Sequence, residues 1–130
     1  MRVPDWREVK ETKEVYNFTV NHRQVSTNSG YRTSKRGMYK TKELNAFQQA
    51  IRDAAQEMWG DTEPDKDSKW CVDIVYYYPS ARNDIDGALK PTLDAMEGIV
   101  YVNDSQVVML SVEKKKDKDD PRTEIVLRRQ

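Results

Sequence analysis

Three aspartates and a lysine are the residues of this chain whose types and spacing could do chemistry. Asp84 and Asp86 stand two apart, Lys90 follows four residues after the second, and Asp104 returns after an amphipathic segment. A spacing of two puts Asp84 and Asp86 on one side of an extended backbone, and a spacing of four makes Asp86 and Lys90 neighbours on a helix. Clustered carboxylates repel one another, which is costly unless a cation holds them together. Mg²⁺ is such a cation: it takes oxygen ligands and binds through one or two carboxylates plus water and substrate phosphate. The chemistry that follows is phosphodiester hydrolysis, in which the metal activates water and steadies the leaving oxygen. Against this stands the plainer reading of a solvated turn and a helix cap, roles in which Asp is common.

Several elements must position these residues. Leu89, Leu93, Met96 and Val100 draw one apolar stripe, which predicts a helix beginning near Asp86 with Asp86, Lys90, Asp94 and Glu97 mostly off it. Pro91 removes one backbone hydrogen bond, so either the first turn is loose or the regular helix starts at Pro91 with Asp86 in its lead-in. Upstream, residues 70–78 read as a strand ended by Pro79, with Tyr77 on the opposite face from Tyr76 and Tyr78. Downstream, residues 107–112 form a second strand, which makes a strand–helix–strand unit. Residues 113–122 read as a mixed-charge turn, and residues 123–127 as a final strand in a hairpin with the one before.

Nearer the start, residues 15–20 alternate as a first strand. Thr41 caps a helix over residues 42–59, with Leu44, Phe47, Ile51, Ala54 or Ala55, and Met58 as its stripe and Gly60 as its stop. Residues 61–69 are a charged, solvated loop. Residues 1–14 carry both charges without a period and read as a surface arm, leaving 15–130 as one domain. The expected fold class is α/β (α+β): a single small domain with a mixed sheet and two main helices.

Composition narrows the function classes. A chain of 130 residues with 37% hydrophobic and 34% charged content has a modest core, which an oligomer would help bury. The formal net charge is zero, so a uniformly basic nucleic-acid coat is excluded and any DNA contact needs charge segregation. That segregation is present: residues 23–42 hold six Lys or Arg and no acid, with Tyr31 and Tyr39 interleaved. Such a loop, with turn signals at Asn28-Ser29-Gly30 and at Gly37, could grip phosphates and stack on a base. It could equally be a solvated loop that offsets acid elsewhere. The single cysteine, Cys71, excludes an internal disulfide and a cysteine-rich zinc site, and its strand-like setting predicts a packed side chain. His22 has no nucleophile to serve and reads as a surface residue. The start of the chain lacks an apolar signal core and no stretch reaches membrane-spanning length, so a cytoplasmic protein is expected.

The run from Asp84 to Val107, D-I-D-G-A-L-K-P-T-L-D-A-M-E-G-I-V-Y-V-N-D-S-Q-V, resembles the RusA family of Holliday junction resolvases (crossover junction endodeoxyribonucleases). The family signature is Asp-x-Asp-Asn, a lysine, a Leu-Asp-Ala-like helix and an Asp-x-Gln-Val return. On that resemblance Asp84, Asp86 and Asp104 are the metal-site carboxylates, Lys90 is the functional lysine, and Asp94 is structural. Ser26-Thr27-Asn28 followed by Tyr31-Arg32 is similar to the family's loop near its first strand. The implied DNA-binding residues are Arg23, Asn28, Tyr31, Arg32, Lys35, Arg36 and Lys40, with Arg82 beside the acidic pair.

The resemblance implies a homodimeric, Mg²⁺-dependent endonuclease, with Mn²⁺ as a substitute, that resolves four-way DNA junctions by paired nicks in recombination and repair. Its setting would be a bacterial cell or a phage-infected host. The chain departs from the pattern at Gly87, where the family usually has Asn, and at Asn103, where some members have Asp. Gly87 keeps two alternatives in view: a non-catalytic junction-binding member, and a metal-dependent hydrolase of a small phosphate ester, which would not need the basic loop.

Overall fold

The computed structural model describes residues 14–130; all but the last residue of the arm expected over residues 1–14 lies outside the described residues. Six strands and three helices follow in the order β1 (Val15–Val20), α1 (Thr27–Gly30), β2 (Tyr31–Ser34), β3 (Gly37–Lys40), α2 (Lys42–Trp59), β4 (Trp70–Tyr78), α3 (Leu89–Met96), β5 (Val107–Lys116) and β6 (Arg122–Arg129). A 3₁₀ turn, Asp104–Gln106, leads into β5. Four strands make the main sheet, in the order β1-β6-β4-β5, and β2 and β3 pair only with each other. The fold is a small α+β domain on a mixed sheet.

Alternation in the strands explains which face is buried. Trp70, Val72, Ile74, Tyr76 and Tyr78 of β4 point to one side, joined there by Phe18 and Val20 of β1 and by Ile125 and Leu127 of β6. Helix α2 covers that face with Phe47, Ile51, Ala55 and Trp59, while its Leu44 is buried against Gly30. Its bounds follow from local chemistry: the Thr41 hydroxyl accepts from the Leu44 N–H at 3.2 Å, and Gly60 takes φ +78° at the stop. Cys71 is buried and unpaired, as its place in the strand predicts.

The expected hairpin between the last two strands is not formed. β6 runs antiparallel to both β1 and β4 and lies between them, while β5 pairs parallel to β4 at the sheet edge. Burial decides this order. β6 hides Thr123, Ile125 and Leu127, whereas β5 leaves Val108, Met109 and Leu110 substantially exposed and ends in three lysines, a composition an edge strand tolerates. The strand also runs on to Lys116 through residues expected to turn. The link to β6 then crosses the end of β4, where the Asp117 N–H donates to the Tyr78 carbonyl at 2.8 Å. Arg122 stacks over the Tyr77 ring at 3.7 Å, on the face away from the core.

Helix α3 starts at Leu89, between the two beginnings the sequence allows, with Pro91 in its first turn where the missing N–H costs nothing. Its buried face is Pro91, Thr92, Ala95 and Met96, preceded by Ala88. The expected stripe through Leu89 and Leu93 is thus rotated to the edge of the contact. A buried hydrogen bond sets the rotation: the hydroxyls of Tyr76 and Thr92 meet at 2.8 Å, and Thr92 Oγ1 donates to the Ala88 carbonyl at 2.7 Å.

The basic segment has defined structure. α1 is capped by Ser26, whose Oγ accepts from the Ser29 N–H at 3.2 Å, and β2–β3 is a hairpin turning at Gly37, φ +110°. Gly30 lets this unit dock on α2, since a Cβ there would stand 2.9 Å from Leu44 Cδ2. Beyond that anchor the hairpin is exposed, with Met38 73% and Tyr39 52% accessible.

Candidate active site

The chain leaves the core end of β4 at Tyr78 and coils rather than extends through the acidic pair. Gly87 N–H donates to the Asp84 carbonyl at 3.2 Å, and Leu89 N–H to the Asp86 carbonyl at 3.1 Å. The two-residue spacing therefore marks a turn, with both carboxylates exposed on it. Asp84 lines a cleft of about 200 Å³ with Asn28, Tyr78 and Arg82, and both aspartates border a smaller one with Thr27 and Asn28. An adjoining cleft of about 580 Å³ is lined by Arg23, Ser29, Arg32 and Asn83. Tyr31 is half-buried at the foot of the hairpin, Lys35 and Arg36 sit at its tip, and Lys40 faces a different cleft.

Gly87 packs closely against α1, where an added Cβ would crowd Ser26 without a severe clash. Its carbonyl accepts from the Thr27 N–H at 2.9 Å, and a Cβ would lie 3.2 Å from Ser26 Cβ and 3.4 Å from the Asp84 carbonyl. The residue that departs from the resembled pattern lets the acidic turn close directly onto α1.

Tyr78 lies beneath the acidic turn. Burial, partly offset by the Ala88 backbone, pushes its phenol up to about 12, and the charges of Asp86 and Asp84 add to the rise.

Asp104 lies elsewhere. β4 and β5 are parallel with Trp70 opposite Val107 and Tyr78 opposite Lys116, so the acidic pair follows one end of this strand pair and Asp104 precedes the other. Asp104 is gathered with Asp94 and Glu97, whose carboxylate oxygens all lie within 4.8 Å of one another and are half-buried. Asp84, Asp86 and Asp104 do not come together as a set at that distance. Glu97 Oε1 accepts from the Asp104 N–H at 2.8 Å, which fixes the turn to the end of α3.

Lys90 pairs with Asp94, Nζ to Oδ2 3.3 Å, and not with Asp86, because the helix begins only after Asp86. The hydrogen bond to Asp94 and the charges of Asp94, Asp104 and Glu97 raise its pKa, so Lys90 is a cation at neutral pH rather than a base. Underneath, Tyr101 donates to the Leu93 carbonyl at 2.6 Å. Burial first, then the charges of Glu97, Asp104 and Asp94, drive its phenol far above the ordinary value. The floor of this group is therefore polar but uncharged.

Three carboxylates gathered this closely could hold a hard divalent cation once small side-chain shifts draw their oxygens together. An octahedral Mg²⁺ with ligands at about 2.0–2.1 Å needs oxygens no more than about 4.2 Å apart across the ion, and the rest of its shell can be water and phosphate. Glu97 escaped the sequence reading, and Asp94 was assigned a structural role only. Their three-residue spacing at the end of a helix, just before the return of Asp104, is the signal that could have found them.

Gln106 was quoted in the Asp-x-Gln-Val return without a role, and it has one. Its Oε1 accepts from the Val102 and Asn103 N–H groups at 3.0 and 3.1 Å, and its Nε2 donates to the Asp65 and Ser68 carbonyls at 2.8 and 3.0 Å. Asn103 Oδ1 completes a capping box by accepting from Ser105 N–H at 2.8 Å. Gln106→Ala should cost about 1–3 kcal/mol of stability through the backbone groups left unpaired. It should also weaken divalent-ion binding while leaving Asp104 in the chain. Urea denaturation and calorimetric Mg²⁺ titration check both, and a variant matching the parent in both would show that the clamp does not place Asp104.

The comparisons with known proteins bear on the same segments. A family model described as Endodeoxyribonuclease RusA matches residues 22–128. Among curated proteins none matches the chain. The family match takes in the basic hairpin, both long helices, the acidic turn and the Asp104 turn. The chain belongs to the RusA endodeoxyribonuclease family.

Proposed function

We propose that this protein is a Mg²⁺-dependent endonuclease that acts as a homodimer and resolves four-way DNA junctions by paired nicks. The observation that carries the reading is the convergence of Asp94, Glu97 and Asp104 beside a protonated Lys90. Asp104, with Asp94 and Glu97, would hold the cation. Bound there, Mg²⁺ supplies charge stabilisation at the phosphate and activation of water for attack. Lys90 offsets the negative charge that builds on the phosphate oxygens, a term worth roughly two to three powers of ten in rate. Arg23, Asn28, Arg32 and Arg82 line connected clefts and grip the backbone of the arms, and Lys35 and Arg36 extend that grip at the hairpin tip.

The homodimer answers a geometric problem. The family resemblance groups Asp84, Asp86 and Asp104 in one site, yet within one chain they flank opposite ends of the β4–β5 pair. A two-fold axis can bring Asp84 and Asp86 of the partner subunit to Asp104 of the first, and it repeats the contact, giving two sites for two cuts. Cytoplasmic action on DNA fits this reading.

Asp84→Asn, Asp86→Asn and Asp104→Asn should each lower junction cleavage about a hundredfold or more while leaving the fold intact. Only Asp104→Asn should also abolish divalent-ion binding by the isolated protein. Junction nicking assays with circular dichroism test this, and near-parental cleavage by any of the three removes that aspartate from the site.

A second expectation concerns assembly. Sedimentation should give twice the 15.2 kDa chain mass. Co-refolded Asp84→Asn and Asp104→Asn chains should regain nicking that neither has alone, because one composite site in each mixed dimer carries no substitution. A mixture as inactive as its components would place each site within a single chain.

A further inference from the structure

One further cleft includes Asp94 in its wall but not Lys90, and the carboxylate site does not account for it. It measures about 370 Å³ and is lined by Lys40 at the end of β3, by Asn45, Gln48 and Arg52 of α2, and by Asp94 and Ala95 of α3. Its two cations are held in place by neutral groups. Lys40 Nζ donates to Gln48 Oε1 at 2.8 Å, and the buried Gln48 is itself anchored by donating to the Pro91 carbonyl at 3.2 Å. Arg52 Nη1 donates to the Ala95 carbonyl at 3.1 Å. Among the described residues neither cation has a carboxylate within 4.0 Å; Asp94, the one acid on the cleft wall, is engaged by Lys90 at 3.3 Å.

Two positioned cations that form no ion pair among the described residues, one of them half-buried, suit an anion. A guanidinium has five N–H donors and Arg52 uses one of them, while an ammonium has three and Lys40 uses one. We propose that this cleft is a phosphate subsite of the DNA strand being cut, and that Arg52 and Lys40 seat a phosphodiester neighbouring the scissile one. The assignment rests on the nuclease reading and deepens it, because the cleft shares Asp94 with the carboxylate group and so adjoins the point of cleavage. Arg52 would supply a forked contact to two phosphate oxygens and Lys40 a point charge beside it. The chain of contacts from Lys40 through Gln48 to Pro91 ties the basic hairpin to α3. Strand position at the cut would then be set by the same element that carries Lys90 and Asp94.

The test is a chemical double-substitution cycle under single-turnover conditions. Junctions carrying a neutral methylphosphonate, placed in turn at each phosphate flanking the cut, are cleaved by the parent and by Arg52→Gln. The variant should lose about tenfold in cleavage at subsaturating enzyme on the unmodified junction. It should lose nothing further on the one junction whose neutralised phosphate is the subsite ligand. Its affinity should also fall less steeply with salt, by about 0.9 in the logarithmic slope for the one contact removed.

Since Arg52 also bonds the end of α3, Lys40→Gln, whose parent side chain makes no direct hydrogen bond to α3, carries the same cycle should Arg52→Gln fold poorly. Losses that stay additive at every modified position, or no loss on the unmodified junction, overturn the subsite. A parent that fails to cut the unmodified junction would instead overturn the nuclease reading.

Discussion

The amide of Gln106 is the contact on which the site depends. One neutral side chain satisfies four backbone groups, two in the turn that presents Asp104 and two in the loop before β4. That loop is bound in turn to the sheet: Asp65 accepts from Arg129 Nε at 2.9 Å and from the Asp67 and Ser68 N–H groups at 2.9 Å each. Burial opposes its ionisation, but the Ser68, Arg129 and Asp67 hydrogen bonds outweigh it and hold the Asp65 carboxyl well below the usual range. Asp104 is thus fixed through an uncharged clamp to a charged anchor in β6, the strand buried between β1 and β4. Placing a carboxylate near two others needs such a support, because mutual repulsion would otherwise let a short exposed turn swing away.

The distribution of charge follows the same logic. The net charge of zero hides separate regions of opposite sign. Acid flanks both ends of α3, and residues 23–42, which include the hairpin, carry base without acid. Between them the phenols of Tyr76, Tyr78 and Tyr101 form a layer under α3 that burial keeps protonated. These rings make contacts of core quality beneath the acidic groups without adding charge to them. Packing and electrostatics are therefore served by the same three side chains.

What could be read from the chain follows its periodicities. The bounds of α2 and β4 were legible because a cap, a stop and a long apolar run coincide there. The hairpin between β5 and β6 was expected wrongly. Chain proximity favours it, but the more apolar β6 gains more by lying between β1 and β4 than beside an edge strand. The helical pairing of Asp86 with Lys90 failed for a local reason, since Asp86 lies in the turn of residues 85–88 that precedes the first helical residue.

The candidate residue types stand in the sequence, but their grouping does not. Asp104 and Lys90 stand beside Asp94 and Glu97, a contact made by the return of the chain after α3, and no spacing rule contains it. Gln106 shows the same limit: its place in the motif was visible, while its four partners come from two segments about forty residues apart.

On the proposed reading, a divalent ion would be seated on Asp104. Crystals of the protein soaked with Mn²⁺, measured at its absorption edge, locate the ion directly. The account predicts one anomalous peak per chain in inner-sphere contact with an Asp104 carboxylate oxygen, with Asp94 or Glu97 as a second protein ligand. A peak held by Asp84 and Asp86 with Asp104 outside the coordination shell would contradict it.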